Sequence, residues 1–271
     1  MTGGVEVAVA DPREILTRPA PGPPHTVSYG SHPDHVVDVW PAGGDGAPLV
    51  IFVHGGFWRA QYDRGYLRPL CNDLVARGYT MAAIEYRRVG QPGGGWPGSF
   101  DDVALAFDTV PSLLAATGVS VGQVLLAGHS AGGHLALWGA TRHQLPDGSP
   151  WRLAGPPPVA GVLALAPVCD LADAYREDLG EGAAGELLAG APEVFPERYA
   201  AVDPAVLPVP EVPTTLVHGV LDDRVPVEQS RRYAGRGVRL VELADVEHFA
   251  VVDPLSKAWS RVLDELDALR Q

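Results

Sequence analysis

The sequence predicts an α/β protein in which a mostly parallel central sheet is covered by helices on both faces. Several short segments, of which 48–53 is the clearest, are apolar at every position, as expected for strands buried on both faces. These segments alternate with amphipathic helical patterns, which is typical of a parallel sheet with helices on each side. With 271 residues and 46% hydrophobic residues, the chain suits one domain over 1–271.

The strands and helices follow one another in a regular order. The first two strand segments alternate apolar and polar residues and suit antiparallel strands. Strands are predicted over 25–29, 35–40, 48–53, 79–86, 124–127, 159–165, 214–217 and 239–243. Helices are predicted over 64–77, from 99 with the Ser99 hydroxyl as its cap, from 131 to about 141, and over 254–269.

Two segments lie outside this alternation. Residues 1–24 contain five prolines and are predicted to form an extended lead-in at the surface rather than a helix. Residues 170–212 are rich in Gly, Ala and Pro and contain short helical pieces such as 185–188. This composition predicts a small cap or lid inserted between two strands.

Composition and charge exclude several classes of function. The net charge of −13 argues against nucleic acid and anionic membrane surfaces as partners, because both require a basic face. The N-terminus lacks a secretion signal and no apolar run approaches the ~18 residues of a membrane span, so we expect a cytoplasmic protein. Cys71 and Cys169 are then expected to be buried thiols. Lys257 is the only lysine, which leaves no residue for a P-loop, a Schiff base or a serine–lysine site.

The sequence Gly128-His129-Ser130-Ala131-Gly132 is the main indicator of chemistry. It directly follows the apolar run 124–127 and leads into a helical pattern, and a serine at such a turn is typical of a nucleophile elbow. Small residues on both sides allow the chain to reverse with the serine backbone at positive φ. GxSxG is a short motif, and in a chain with 32 glycines the alternative is a glycine-rich turn.

The loops after the last two predicted strands carry an acid and a histidine. Asp222 lies in the first of these loops and His248 in the second, and functional groups of parallel sheets gather at the carboxyl ends of strands. With Ser130 they stand in the chain order serine, acid, histidine, which suits nucleophilic catalysis. Asp223 is the alternative acid, and only the DxRxP pattern over 222–226 favours Asp222.

Other polar residues have structural explanations. We expect Asp170 to cap the segment that follows it and His129 to point away from the nucleophile. His134 lies one turn inside the helix after Ser130, where we expect a structural hydrogen bond rather than a catalytic role. Residues 32–35 include two histidines and an aspartate but no fourth ligand. We therefore predict no metal site and no cofactor.

The segment His54-Gly55-Gly56-Phe57-Trp58 follows an apolar strand, where backbone amides can stabilise an oxyanion. The predicted donors are the amides of Gly56, Phe57 and Ala131, and the alternative is an ordinary glycine turn. Aromatic residues that are candidates for substrate binding, or else for packing, are Trp58, Tyr62, Trp96, Phe195 and Phe249. Trp96 lies in a glycine-rich stretch, 93–98, which we interpret as a loop over the pocket.

Four motifs together resemble the α/β-hydrolase superfamily: HGGFW at 54–58, GHSAGGHLALW at 128–138, HGVLDDRVP at 218–226 and EHF at 247–249. Within it, HGGxW, the early Tyr29-Gly30 and the Glu85-Tyr86-Arg87 strand end look like the arylformamidase (kynurenine formamidase) and feruloyl-esterase-like carboxylesterase group. The resemblance implies an α/β-hydrolase fold and a serine hydrolase that cleaves a small carboxylic ester or N-formyl aryl amide through an acyl-enzyme on Ser130.

This sequence departs from the group at two places. Phe57 occupies the variable position of HGGxW, and the elbow ends Gly132-Gly133 where several formamidases carry a different small residue. Two alternatives stay open, namely a small peptidase-like or aminoacyl hydrolase of the same fold and a non-catalytic binding protein built on it. We expect a small-molecule substrate and no nucleic acid or membrane partner, and a homodimer stays open.

Overall fold

The computed structural model describes residues 11–270 and contains one eight-stranded sheet. Along the sheet the strand order is β1-β2-β4-β3-β5-β6-β7-β8. The strands are β1 (His25–Ser28), β2 (Val36–Trp40), β3 (Leu49–Val53), β4 (Thr80–Ile84), β5 (Val124–His129), β6 (Gly161–Leu165), β7 (Thr214–Gly219) and β8 (Arg239–Leu243). The helices are α1 (Arg68–Ala76), α2 (Gly98–Ala116), α3 (Ala131–Ala140), α4 (Leu171–Arg176), α5 (Ala183–Leu188), α6 (Pro196–Val202), α7 (Val227–Ala234) and α8 (Trp259–Ala268).

The sheet is parallel except at one edge, where β2 runs antiparallel to both β1 and β4. From β4 to β8 every pair of neighbours is parallel. The carboxyl ends of β3, β5, β7 and β8 therefore open on the same edge of the sheet. The predicted α/β architecture, with helices on both faces of a mostly parallel sheet, is confirmed.

Each face of the sheet carries its own hydrophobic core, and β3 contributes to both. Leu49, Ile51 and Val53 join the core formed with α2 and α3, while Val50 and Phe52 join the core formed with α1 and α8. All five side chains of β3 are at most 1% exposed. This burial on both faces explains why the strand is apolar at every position.

Three predicted helices differ from the structure at their ends. The helix expected over 64–77 begins with a 3-10 turn, Arg64–Leu67, and becomes α-helical at Arg68, with Pro69 in its first turn. Ser99 lies inside α2 rather than at its cap, and its hydroxyl donates to the Arg87 carbonyl. The last helix begins at Trp259 rather than 254.

The prediction of an extended lead-in is wrong for Pro12–Leu16, which form a 3-10 helix. The carboxylate of Asp11 caps it by accepting from the Arg13 amide at 3.0 Å. Ile15 is fully buried, and Arg18 forms a bidentate ion pair with Asp253, which lies in the segment before α8. Tertiary packing thus overrides the proline-rich composition here; residues 1–10 of the predicted lead-in lie outside the described part of the chain.

The connection between β6 and β7 carries α4, α5 and α6, in the region where the sequence predicts a cap. Asp170 caps α4 by accepting from the Asp173 amide at 2.7 Å, as expected from the sequence. The Leu187 carbonyl accepts from the Trp96 amide at 2.8 Å, and Glu186 pairs with Arg59 at 2.7 Å. These contacts join the connection to the loops that follow β3 and β4. Within residues 11–270, no helix has both the length and the apolar character needed to cross a membrane.

Asp203, which directly follows α6, is a buried carboxylate that holds this connection together. It is 1% exposed and accepts from the amides of Ala172 at 3.2 Å and Ala205 at 3.0 Å. Burial raises the pKa of Asp203 to about 6; backbone amides oppose this shift, and the charge of Asp170 adds to it. The folded state therefore holds this proton at a pH where the unfolded chain releases it.

Replacing Asp203 with Asn should remove a pH-dependent loss of stability. The unfolded carboxyl ionises near ~3.9, so the stability contributed by protonated Asp203 is fully present below about pH 4 and is lost as the pH rises to about 6. Urea unfolding should show the free energy of wild type falling by about 3 kcal/mol relative to Asp203→Asn across this window. Asp147→Asn, at a 95% exposed side chain, is the control. If the difference in the free energy of unfolding between wild type and Asp203→Asn does not change with pH, this prediction is contradicted.

Candidate active site

Ser130 lies at the turn between β5 and α3 in a strained backbone conformation. Its φ of 56° and ψ of −120° are rare for a residue with a side chain, and its amide donates to the Leu165 carbonyl at 2.8 Å. The flanking glycines allow this geometry through close backbone approach. A Cβ on Gly128 would lie 2.1 Å from the Gly132 carbonyl oxygen, and one on Gly132 would lie 2.0 Å from the Val53 oxygen. This is the geometry of a nucleophile elbow.

Asp222 and His248 meet at the carboxyl ends of β7 and β8. The Nδ1 atom of His248 donates to Asp222 Oδ2 at 2.6 Å, and both side chains are at most 4% exposed. His248 and Ser130 line the same cavity. The bond to Nδ1 leaves the other ring nitrogen, Nε2, on the opposite edge of the imidazole. The sequence-predicted serine, acid and histidine are therefore brought together.

The surroundings of Asp222 keep it ionised and fixed. Burial raises its pKa, but the charge of His248 and hydrogen bonds from His218 and His248 outweigh burial and hold the pKa of Asp222 well below its usual range. The other carboxylate oxygen accepts from the amides of Arg224 and Val225, each at 2.8 Å. Of the two neighbouring acids, Asp222 and not Asp223 contacts His248.

The buried His218 also donates a hydrogen bond to the Asp222 carboxylate. Its Nε2 lies 3.1 Å from Asp222 Oδ2 and 2.9 Å from the Val225 carbonyl oxygen, both of which accept. Nε2 therefore carries the proton, and Nδ1 accepts from the Ser230 hydroxyl at 2.7 Å. Such a partner orients the carboxylate that in turn orients His248.

The loop after β3 presents free amides toward the same cavity. Gly56, Phe57 and Trp58 have φ values of 112°, 51° and 55°, so three successive residues are left-handed. Among residues 11–270, the amides of Gly56 and Phe57 donate to no internal acceptor. Ala131 begins α3, where the amide has no partner within the helix. These three amides, which the sequence suggests as oxyanion donors, are therefore without an acceptor within their own loop or helix.

A buried charged cluster holds the start of this loop. His54 places Nδ1 2.7 Å from the Gly55 carbonyl oxygen and Nε2 2.8 Å from Glu85 Oε1. Arg64 and Arg88 also approach the Glu85 carboxylate, at 3.3 Å and 3.1 Å. Burial raises the pKa of Glu85, but the His54 and Arg88 charges and the His54 hydrogen bond lower it overall to about 2.

A second buried chain of hydrogen bonds connects this loop to His248. The Gly55 amide donates to the Tyr66 hydroxyl at 2.7 Å, and that hydroxyl lies 3.1 Å from His129 Nδ1. His129 Nε2 donates to the His248 carbonyl at 3.0 Å. Burial and the neighbouring His248 charge lower the pKa of His129 well below its usual value, so the ring is neutral and its Nδ1 accepts. We name this Gly55–Tyr66–His129–His248 series the buried relay.

His129, which is expected to point away from the nucleophile, packs its ring against the His248 ring, with centroids 4.6 Å apart, and lines the cavity. Alternation along β5 places His129 on the same face of the sheet as Leu125 and Ala127, the face that also carries Tyr66. His129 is therefore part of the site's support.

The cavity at Ser130 has a volume of about 100 Å³. Its lining consists of Arg13, Leu16, Gly56, Phe57, Tyr62, Tyr66, His129, Ser130, Arg224, His248 and Phe249. Of the proposed substrate-binding residues, Tyr62 and Phe249 lie in this lining. The cavity is thus small, largely apolar near Ser130 and flanked by two arginines.

Trp58 and Trp96 do not line the cavity, so the structure corrects these two candidates. Trp58 is 1% exposed and packs edge-on against His134, because the left-handed backbone at Phe57 and Trp58 directs the indole into the core. Trp96 packs against Phe100 and Trp151 instead of covering the pocket. Phe195 likewise lies under the Arg198 guanidinium, away from Ser130.

His134 and His35 form structural hydrogen bonds with neighbouring residues of the fold. His134 donates from Nε2 to the Val202 carbonyl at 2.9 Å, and burial lowers its pKa to about 4. His35 contacts the Asp102 carboxylate at 2.8 Å rather than joining His32 and Asp34 around an ion. Within the described chain, no group of three or more His, Cys, Asp or Glu side chains is arranged to hold a metal.

Several residues of the site were missed by the sequence. Tyr66 belongs to the apolar pattern of a predicted helix, and its apolar spacing gives no sign of its hydroxyl contacts. Arg13 and Leu16 belong to a segment predicted to be extended. Arg224 lines the cavity and belongs to the DxRxP pattern over 222–226 that favours Asp222 as the acid. This pattern is the sequence signal that could have identified Arg224 as a residue of the site.

Sheet order, elbow and the loops at the strand ends together define a protein of the α/β-hydrolase fold. Residues 39–236, well over half of the chain, match the BD-FAE family model. The protein therefore belongs to the BD-FAE family.

Two similar proteins are esterases of Mycobacterium tuberculosis. Esterase LipC is 29% identical over 225 residues, which cover 78% of this chain and 54% of LipC. Esterase LipQ is 28% identical over 215 residues, covering 74% of this chain and 49% of LipQ. This chain thus spans about half the length of the curated relatives that it matches.

Among solved structures, a thermophilic esterase of Thermogutta terrifontis superimposes with a TM-score of 0.68. Its propionate-bound and butyrate-bound forms are each 24% identical and match over 92% of this chain and 93% of that one. This likeness supports the fold assignment.

The two neighbouring aspartates give a direct test of the site. Fluorophosphonate labelling of Ser130, followed by mass spectrometry, should slow by roughly 10²- to 10⁴-fold in Asp222→Asn, because His248 loses the partner that orients it. Asp223→Asn is the matched control, since its side chain is 61% exposed, and should change the rate less than about twofold. Equal effects of the two changes contradict the assignment, and absence of labelling in wild type favours a non-catalytic protein.

Proposed function

We propose that this protein is a carboxylic-ester hydrolase that acts through an acyl-enzyme on Ser130. The observation that carries the proposal is the 2.6 Å bond between His248 and Asp222 at the cavity that contains the strained Ser130. The esterase names of LipC and LipQ support an ester as the substrate.

In the first half-reaction, His248 Nε2 takes the proton of the Ser130 hydroxyl while Ser130 Oγ attacks the ester carbonyl. Asp222 holds the imidazole through Nδ1 and stabilises its charged form. The amides of Gly56, Phe57 and Ala131 bind the oxyanion, and one such donor is typically worth about 3–4 kcal/mol of transition-state stabilisation.

The first half-reaction ends when the C–O bond to the alcohol breaks and His248 gives its proton to the departing alcohol, which leaves the acyl group on Ser130 Oγ. The second half-reaction releases the acid. A water that enters the cavity gives a proton to His248 as it attacks the acyl carbonyl. The bond to Ser130 Oγ then breaks and His248 returns that proton to Oγ, which releases the carboxylic acid and regenerates Ser130. Neither step involves a metal or an organic cofactor.

The dimensions of the cavity favour a short acyl group. An apolar cavity of about 150 Å³ binds benzene, and the cavity at Ser130 is smaller, with a volume of about 100 Å³. The apolar walls from Phe57 and Phe249 suit a few methylene groups near Ser130. Propionate and butyrate occupy the structurally similar Thermogutta terrifontis esterase, which is consistent with this range.

An N-formyl aryl amide is the second candidate substrate. Formyl is the smallest acyl group and fits the cavity, and Tyr62 and Phe249 offer aromatic faces for an aryl leaving group. The esterase names of the relatives place this candidate behind the ester.

A series of p-nitrophenyl esters tests both the acyl size and the nucleophile. We expect kcat/KM to be highest between acetate and butyrate and to fall at least about tenfold by octanoate, because longer chains exceed the cavity. Ser130→Ala should lose nearly all turnover with the fold unchanged by circular dichroism. N-formylkynurenine, assayed alongside, should be the poorer substrate.

Three results would change the proposal. Wild-type turnover by Ser130→Ala removes Ser130 as the nucleophile. A preference for octanoate contradicts the acyl-size argument. A higher kcat/KM for N-formylkynurenine than for every ester moves the assignment to a formamidase.

A further inference from the structure

The cavity at Ser130 is lined by positive charge in a strongly acidic protein. The chain has 33 acidic and 20 basic residues, yet the cavity lining includes Arg13 and Arg224 and no aspartate or glutamate. Asp222, the acid that contacts His248, has no exposed side-chain surface and is hydrogen-bonded to His218, His248 and two backbone amides. We name Arg13 and Arg224 the arginine rim.

The two arginines form only weak ion pairs with neighbouring aspartates, so their positive charge is available to a ligand. The Nε atom of Arg13 lies 3.8 Å from Asp11, with both side chains about 60% exposed. Arg224 Nε lies 3.6 Å from Asp223, and these side chains are 44% and 61% exposed. Ion pairs this long and this exposed are weak, so either guanidinium can exchange its partner for an anionic group of a ligand.

The backbone holds both arginines beside the reacting groups. Arg224 donates its amide to the Asp222 carboxylate at 2.8 Å, which ties it to the acid that orients His248. Arg13 belongs to the 3-10 helix that is anchored by the fully buried Ile15 and by the ion pair between Arg18 and Asp253. Arg13 lies before residues 39–236, so this half of the rim belongs to a segment outside the family match.

We infer that the arginine rim selects esters whose larger, outward-facing alcohol portion carries a carboxylate. This inference rests on the proposed ester hydrolysis at Ser130. The cavity volume of about 100 Å³ suits the short acyl group at Ser130, and the larger remainder of the substrate then extends past the exposed guanidiniums. Guanidinium binds carboxylate through paired N–H donors, and a positive entrance also raises the encounter rate of anions.

The alternative is that both arginines are ordinary solvated surface residues. Such residues contribute to solubility and do not distinguish between substrates of equal shape. The two explanations differ in the response to a charge placed on the alcohol portion.

A matched pair of substrates tests the inference. The para-carboxyphenyl and para-carbamoylphenyl esters of propionic acid have nearly the same shape and differ by one negative charge. For wild type at low salt, we expect kcat/KM for the carboxylate ester to exceed that for the amide by roughly five- to twentyfold, after division by their hydroxide-catalysed rates. Arg13→Gln and Arg224→Gln should each reduce this ratio by about two- to fivefold, and the double variant should bring it near one.

Two controls make the ratio specific to the rim. Arg77→Gln removes the same charge from a 48% exposed side chain at the end of α1, and it should leave the ratio unchanged. Added salt should reduce the ratio in wild type and have little effect in the double variant.

The possible failures are distinct. Hydrolysis of both esters with a ratio near one, or a ratio that Arg77→Gln lowers as much as the rim variants do, overturns the arginine rim and leaves the proposed function intact. Failure to hydrolyse either ester overturns the proposed function, and the inference falls with it.

Discussion

The buried relay from Gly55 through Tyr66 and His129 to His248 is the interaction on which the site depends. It joins the loop after β3, whose amides are the proposed oxyanion donors, to the loop that carries His248, and it passes directly beside Ser130 because His129 is the preceding residue. Each of its members is buried, so a broken bond leaves a polar group without a partner at a cost of about 1–3 kcal/mol. The buried relay thereby fixes the relative positions of the segments that follow β3, β5 and β8.

The charged residues of the site fall into two groups: buried carboxylates that are held by hydrogen bonds, and arginines that line the cavity. Asp222 is held in its ionised form by His218, His248 and backbone amides, and it lies beside His248. Glu85 is held in its ionised form by His54 and Arg88, and it lies beside the start of the loop after β3. Neither carboxylate reaches the cavity lining, where Arg13 and Arg224 are the charged residues with exposed heads. A strongly acidic protein thus carries two arginines in the lining of the cavity that contains Ser130.

The sequence predicts the sheet well and places Ser130, Asp222 and His248 at strand ends that the structure brings together, because both depend on local signals. Apolar runs mark buried strands, and Ser130, Asp222 and His248 each lie within a few residues of a strand end that fixes their edge of the sheet. The pocket walls depend on tertiary contacts and were predicted less well. Trp58 and Tyr62 are both aromatic neighbours of the oxyanion loop, yet the positive φ values at Phe57 and Trp58 send the indole into the core while Tyr62 reaches the cavity. The segment Pro12–Leu16 folds over the site because Ile15 finds a buried position, which proline content alone does not reveal.

Capture of the acyl-enzyme tests the central claim most directly. Wild-type protein mixed with excess propionate ester and quenched in acid within milliseconds to seconds should carry one propionyl group on the peptide that contains Ser130, detected by mass spectrometry. His248→Ala, which lacks the base, should carry none on the same timescale. Steady turnover of the ester by wild type with no acylated Ser130 peptide at any quench time, or with the acyl group on another residue, would contradict the account.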